Sequence, residues 1–211
     1  MTEQVKGKLE PEQGKKPIAL AVVLVMLVAS LIFVVLFASK SIGYQQEIQI
    51  ATGKEIVEHF KALDKKLGYA DLSIAALSTR AGSWNEDAAL LSLQASYLLE
   101  DIDYHLAELF HIGAAIDNEA FANVDGQSAS QDEIKKQQQL LESFSRTDLP
   151  ADRLEEQLQA AQQQLQQLHS IVQQFNFRLE GNRNAMIRLS SGFDWIELAK
   201  QMDDIIFNEA Q

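Results

Sequence analysis

The chain of 211 residues carries 18 basic and 30 acidic side chains, a formal net charge of −12, and it contains no cysteine. Without cysteine, the sequence excludes disulfide bonds, thiolate catalysis and Cys-ligated metals. The acidic balance repels phosphate backbones, so nucleic acid is not an expected partner.

The first predicted element is a membrane-spanning helix at residues 17–39. This run of 23 residues has no charge and only two hydroxyl groups, on Ser30 and Ser39. At 1.5 Å per residue it forms a helix of about 34 Å, enough to cross a hydrocarbon core of about 30 Å. Since the apolar region of a cleaved signal peptide is shorter, we prefer an uncleaved anchor to cleavage near Ala38.

The residues flanking this helix predict its orientation. More lysines precede the span than follow it within a similar distance: Lys6, Lys8, Lys15 and Lys16 before, Lys40 and Lys54 after. The positive-inside rule therefore places residues 1–16 in the cytoplasm, as a short disordered head, and the following domain outside it. We expect a single-pass protein of a bacterial inner membrane with a periplasmic C-terminal domain.

Residues 41–192 predict an all-α domain, an elongated four-helix bundle or coiled coil. Apolar residues recur at alternating steps of four and three, in stripes that begin at Ile56, Leu91 and Leu154. This spacing places each stripe on one seam of a helix. We expect helices at 41–81, 84–120, 131–146 and 151–190, the first continuing from the span. Because the third is short, the terminal helix or another chain, such as a second copy, must cover part of the long seams.

Residues 193–211 predict a separate amphipathic helix, because Gly192 allows the chain to turn. Its apolar side chains are Phe193, Trp195, Leu198, Met202 and Ile205. A helix of this kind either docks into the groove of a partner or folds back on its own bundle. These five residues are the candidate partner-binding residues.

Three arginines form the one basic cluster of the domain: Arg178, Arg183 and Arg188. Arginines that converge can bind a carboxylate or phosphate through paired hydrogen bonds. On one continuous helix, however, a spacing of five rotates each by about 140° from the last. We therefore prefer exposed salt bridges to a ligand site, and keep the three as candidate ligand-binding residues.

Metal binding and catalysis have little support in the sequence. Glu108 and His111 have the Glu-x-x-His spacing of di-iron bundles, but no second copy of that motif occurs. Ion pairing along the helix surface explains the pair equally well. His105 falls on a seam, where it either fixes helix register, faces water or responds to pH. We expect no catalytic residue, no bound metal and no cofactor.

These observations favour a membrane-anchored periplasmic scaffold, or an accessory subunit of an envelope complex that acts through contacts with other membrane or envelope proteins. The layout of a span at 17–39 and a bundle at 41–192 also resembles the periplasmic four-helix bundles of chemoreceptors and sensor kinases. That resemblance is one of arrangement and not of motif, and the sequence holds no second span or output domain. It implies, as an alternative, a sensor module that binds a small ligand.

Overall fold

The computed structural model describes residues 16–79, 86–117 and 151–209, together with Phe121, Lys136 and Gln139. Within this part of the chain all regular structure is helical, without any β-strand, which confirms the all-α prediction. The continuous stretches of described residues contain five α-helices: α1 Lys16–Ser78, α2 Glu86–Ile116, α3 Ala151–Val172, α4 Arg183–Leu189 and α5 Ile196–Glu209. Of the predicted head at 1–16 only Lys16 is described, as the first residue of α1, and of the predicted helix at 131–146 only Lys136 and Gln139 are described, both of them helical. A closed four-helix bundle or coiled coil therefore stays a prediction.

The chain divides into two compact units, residues 1–47 and 48–211. In the first unit, every side chain from Leu20 to Ile42 is exposed. This part of α1 is long and apolar enough to cross a membrane, judged by length and composition. A helix that is apolar on all sides is stable only where an apolar phase or other protein covers it.

The second unit contains a hydrophobic core. On α1 the predicted seam is confirmed, because its seven members are at most 1% exposed: Ile56, Phe60, Leu63, Leu67, Ala70, Ile74 and Leu77. On α2 the predicted seam runs from Leu91 to Ile116 and does not include Leu99 and Leu106. Both of these leucines are buried, whereas Ile116 is 37% exposed. The seam of α2 is thus rotated by about one residue from its predicted position.

Side-chain contacts fix the relative directions of the helices. His59 and Lys66 of α1 contact His105 and Asp101 of α2, so the two helices are antiparallel. Asp71 of α1 accepts hydrogen bonds from Gln162 and Gln166 of α3, and Asp64 contacts His169 further along, so α3 is also antiparallel to α1. It follows that α2 and α3 run parallel to each other. The terminal helix α5 packs against both of them.

The predicted helix at 151–190 is wrong in its second half. Helix α3 ends at Val172, a 3-10 turn occupies Phe177–Leu179, and α4 begins at Arg183. Asn176 and Asn182 cap the turn and α4 with their side-chain oxygens, and Gly181 has a φ of 80°. Asparagine caps satisfy backbone N–H groups outside a continuous helix, so they favour this interruption. Asn182 is exposed, and it caps α4 instead of lying on a seam.

The interruption brings aromatic side chains to the centre of the core. Phe60 stacks on Phe175 with ring centroids 4.2 Å apart, and Trp195 meets Phe60 edge-on at 6.4 Å. The Trp195 indole N–H donates a 2.7 Å hydrogen bond to the carbonyl of Leu189, so its polar atom is satisfied. Offset and edge-on aromatic pairs add to the stabilisation from apolar burial.

Candidate functional site

Two histidines meet between α1 and α2, with their Nδ1 atoms 2.9 Å apart. His59 is 8% exposed, and His105 is half-buried. Tyr104 lies against both rings, with centroids 6.2 Å from His59 and 5.2 Å from His105. A hydrogen bond between two Nδ1 atoms requires one ring to donate a proton and the other to accept it, so the contact exists only while at least one ring is neutral.

The surroundings of this pair favour the neutral rings. Burial lowers the pKa of His59 below its ordinary value of 6.5, against nearby carboxylates that raise it: Glu55, Glu108 and Glu58. Burial also lowers the pKa of His105, helped by His59 and Lys66 and opposed by Asp101. The prediction that His105 occupies a polar position facing another helix agrees with this geometry. Its partner, His59, was missed because it lies beside the main stripe of α1.

Among the described residues, no group of three or more His, Asp or Glu side chains is arranged to hold a metal ion. His111, the second member of the Glu-x-x-His motif, is exposed on α2, whereas Glu108 is half-buried and faces the histidines. The arrangement can exchange a proton and can hold α1 against α2.

The three arginines lie on different segments, because the helix that was predicted to carry them is interrupted. Arg178 is in the 3-10 turn, Arg183 begins α4, and Arg188 is in its last turn. The predicted rotation of 140° between them therefore does not apply. The Arg188 guanidinium donates to both oxygens of Asp194, at 3.1 and 2.9 Å, and lies 5.9 Å from the centre of the Phe193 ring. The sequence favoured exposed salt bridges to Glu180 or to another helix; the salt bridge of Arg188 is exposed, and its partner is Asp194.

The terminal segment contributes most of its apolar residues to the core of its own chain. Trp195 and Met202 are buried, and Leu198 and Ile205 are half-buried against the same cluster. Phe193 is 60% exposed beside Arg188. Of the two alternatives that the sequence left open, the structure has the helix folded back. In this conformation Phe193 is the candidate partner-binding residue whose ring faces solvent most fully.

A second exposed apolar surface lies on α2, and the sequence analysis did not find it. Leu90, Leu93, Tyr97 and Tyr104 are 66%, 48%, 61% and 57% exposed, and we call these four residues the outer face. At about 100° per residue they fall within an arc of about 60°, away from the buried residues of α2. At one end of this arc the Tyr104 ring also lies against His59 of α1. The available signal was a second set of apolar residues on α2 that are spaced by three and four, on a different face from the predicted seam.

No protein-family model, no curated protein and no solved structure matches this chain.

Proposed function

We propose that this protein is a membrane-anchored helical scaffold, or an accessory subunit of a bacterial envelope complex, that acts by binding other proteins. The observation that carries this proposal is the outer face of α2. Four large apolar side chains are exposed there along one face of a single helix, whose other apolar face is buried in the core. Contiguous exposed apolar surface on a folded domain is typical of protein-interaction sites.

The first part of α1 supports the membrane location. Its exposed apolar side chains are those that lipid would cover, and its length matches the hydrocarbon core. The lysine distribution around it favours a cytoplasmic N-terminus and a periplasmic domain. Residues 41–211 carry 13 basic and 27 acidic side chains, so the partner surface is expected to be neutral or basic.

Two measurements test this proposal. Reporter fusions at the C-terminus should report a periplasmic position, and a cytoplasmic signal would contradict the topology. Photo-crosslinkers placed on the outer face in intact cells should yield discrete adducts with one or a few membrane or envelope proteins. The same crosslinker at Glu156, which is exposed on α3, is the control. If crosslinkers on the outer face and at exposed positions on the rest of the domain yield no adduct in any growth condition, the scaffold proposal fails.

The sensor that binds a small ligand stays an untested alternative, but one observation favours a sensor whose stimulus is pH, the contact between His59 and His105. Protonation of both rings breaks their hydrogen bond and would loosen α1 from α2, a change that a neighbouring protein could detect. The charged groups that face the pair come from both helices: Glu55, Glu58 and Lys66 of α1, and Asp101 and Glu108 of α2. Adducts that form only at acidic pH would favour a sensor over a constitutive scaffold.

A further inference from the structure

The outer face of α2 repeats with the period of a coiled-coil seam. Leu90, Leu93, Tyr97 and Tyr104 occupy positions that alternate by three and four residues, with Glu100 at the one intervening seam position. An apolar seam of seven-residue period on an exposed helix is complementary to the seam of another helix. Tyrosine is well suited to such a contact, because it offers a large, rigid apolar ring with a polar tip. The expected occupant is therefore a helix.

Carboxylates lie within and beside this seam. Asp87 and Glu100 are exposed, and Glu108, at the edge that faces the histidines, is half-buried. None of the three makes an ion pair with a described residue. Asp101, at the same edge, is paired with Lys66 of α1. The charge that an incoming helix meets along α2 is thus negative. A cationic helix gains from this charge, whereas an anionic one is repelled.

A second copy of the chain fits the seam poorly. In a parallel pair of α2 helices, Glu100 of each copy would lie against Glu100 of the other, because equivalent seam positions face each other. Each copy also brings a formal charge of −14 from residues 41–211. Like charges opposed across an interface disfavour association, so self-pairing through this face is not the arrangement that the structure supports.

We infer that the outer face of α2 is a docking site for a cationic amphipathic helix of a partner protein, with an apolar seam flanked by lysine or arginine. Leu90 and Tyr97, the two most exposed of the four apolar residues, are the main anchors, and Glu100 within the seam and Asp87 beside it attract the basic side chains of the occupant. This inference rests on the proposed function, since it names the surface and the chemistry of the partner through which that function is carried out.

Binding of synthetic helices to the full chain tests the inference. The chain is held in nanodiscs of zwitterionic lipid, and empty nanodiscs are the blank. Two three-heptad peptides share a leucine seam and differ only in their flanking residues, lysine in one and glutamate in the other. We expect saturable binding of the lysine peptide, at least about tenfold tighter than that of the glutamate peptide. Equal binding of both peptides overturns the inference.

Matched variants locate the binding on the chain. The double variant Leu90→Ser/Tyr97→Ser should weaken binding of the lysine peptide by about tenfold or more. Tyr44→Ser, at a tyrosine that is 65% exposed on the first part of α1, should leave it unchanged. Glu100→Lys should weaken binding of the lysine peptide more than Glu156→Lys, which makes the same change of charge on α3. All of these side chains are exposed, so the fold should tolerate the changes. Binding that is unaffected by the double variant contradicts the inference.

Thiol labelling tests whether the face is open. Because the chain has no cysteine, Tyr97→Cys introduces a single reactive site. It should react as fast as Tyr44→Cys, at a rate that is independent of protein concentration. Slow labelling at all protein concentrations would mean that residues of the same chain cover the face. Labelling that becomes slower as the protein concentration rises would mean that a second copy covers it. Either result overturns the inference.

Failure of this inference is distinguishable from failure of the proposed function. If crosslinking in cells finds partners only at another surface, the function stands and the assignment of the outer face is wrong. If the lysine peptide binds the outer face but no cellular partner is crosslinked anywhere, the docking chemistry stands and the scaffold role is wrong.

Discussion

The two halves of α1 are one helix by hydrogen bonding, but their side chains are arranged for different surroundings. From Leu20 to Ile42 every side chain is exposed, although this is the most apolar part of the chain. From Ile56 to Leu77 the apolar residues lie on one stripe and are buried by the rest of the second unit. The comparison teaches that the amount of apolar surface does not specify a protein core. The periodicity of that surface does, because only a stripe can be buried against other helices while the opposite side stays polar.

The largest expected difference between the two halves is the loss of stability when a phenylalanine is truncated to alanine. Phe60 is fully buried and stacks on Phe175, so Phe60→Ala should destabilise the second unit by about 3–5 kcal/mol. Phe37 is 71% exposed, and Phe37→Ala should leave the unfolding of that unit unchanged. Thermal unfolding of the full chain in micelles, followed by circular dichroism, measures both. A comparable loss from Phe37→Ala would show that the halves do not differ as described.

Glycines in the two halves provide a second matched pair. A Cβ on Gly53 would lie 2.2 Å from the carbonyl oxygen of Met186, so α1 and α4 would have to separate. Gly53→Ala should therefore destabilise the second unit by about 1–3 kcal/mol, the usual effect of overpacking. Gly43 has nothing within 4 Å of that position, and Gly43→Ala should be neutral or slightly stabilising because alanine favours helix. Chemical unfolding of both variants decides this, and equal midpoints would contradict the close approach of α1 to α4.

Much of the fold could be predicted from the sequence because its signals are periodic. The apolar run at 17–39, the stripe from Ile56 to Leu77 and the bounds of α2 follow from helix periodicity and turn residues. The break after Val172 was missed because the spacing of three and four continues across it, through Phe175 and Met186, which are buried in spite of the break. Periodicity predicts which residues are buried, but it does not predict whether the helix continues between them. Here the side chains of Asn176 and Asn182 cap the 3-10 turn and α4, which favours the interruption.

The candidate site was harder to predict, for a different reason. The pair of His59 and His105 depends on the register between two antiparallel helices 46 residues apart in sequence, and no local spacing encodes that register. The outer face of α2 was missed for a different reason, which is local to one helix. Two apolar stripes share one helix, and nothing in the sequence says which of them the rest of the chain will bury.

Acidification should lower the stability of the second unit, where His59 and His105 lie, whereas the span at residues 17–39 holds no ionisable group. The pKa values of His59 and His105 lie below 6.5 in the folded protein, so the unfolded chain binds protons that the folded one does not. Stability from these groups is therefore complete above about pH 6.5 and falls as the pH is lowered towards the folded-state pKa values. Unfolding midpoints measured between pH 7 and pH 5 should fall on acidification.

The double variant His59→Gln/His105→Gln isolates this effect. The unfolding midpoint of this variant should depend less on pH than that of the parent chain, whatever the absolute stability of the variant. Asp203 has the opposite effect on the pH dependence of stability, because burial and Asp204 raise its pKa. Since Asp203 is present in both the parent chain and the double variant, its effect cancels in the comparison. If parent and double variant lose stability in parallel on acidification, the histidine contact contributes nothing to the response.

Lysines give the smallest expected difference between the halves. Lys66 pairs with Asp101 on α2, whereas Lys40 directly follows the apolar run. Both partners of the ion pair reach solvent, so Lys66→Ala should destabilise the second unit by only about 0.2–1 kcal/mol, and less at high salt. Lys40→Ala should not change it. Lys66 also lowers the pKa of His105, so its removal should raise that pKa and weaken the loss of stability on acidification. Unfolding midpoints at two salt concentrations and two pH values separate these effects, and a salt-independent loss from Lys66→Ala would mean that its aliphatic stem, and not its charge, joins α1 to α2.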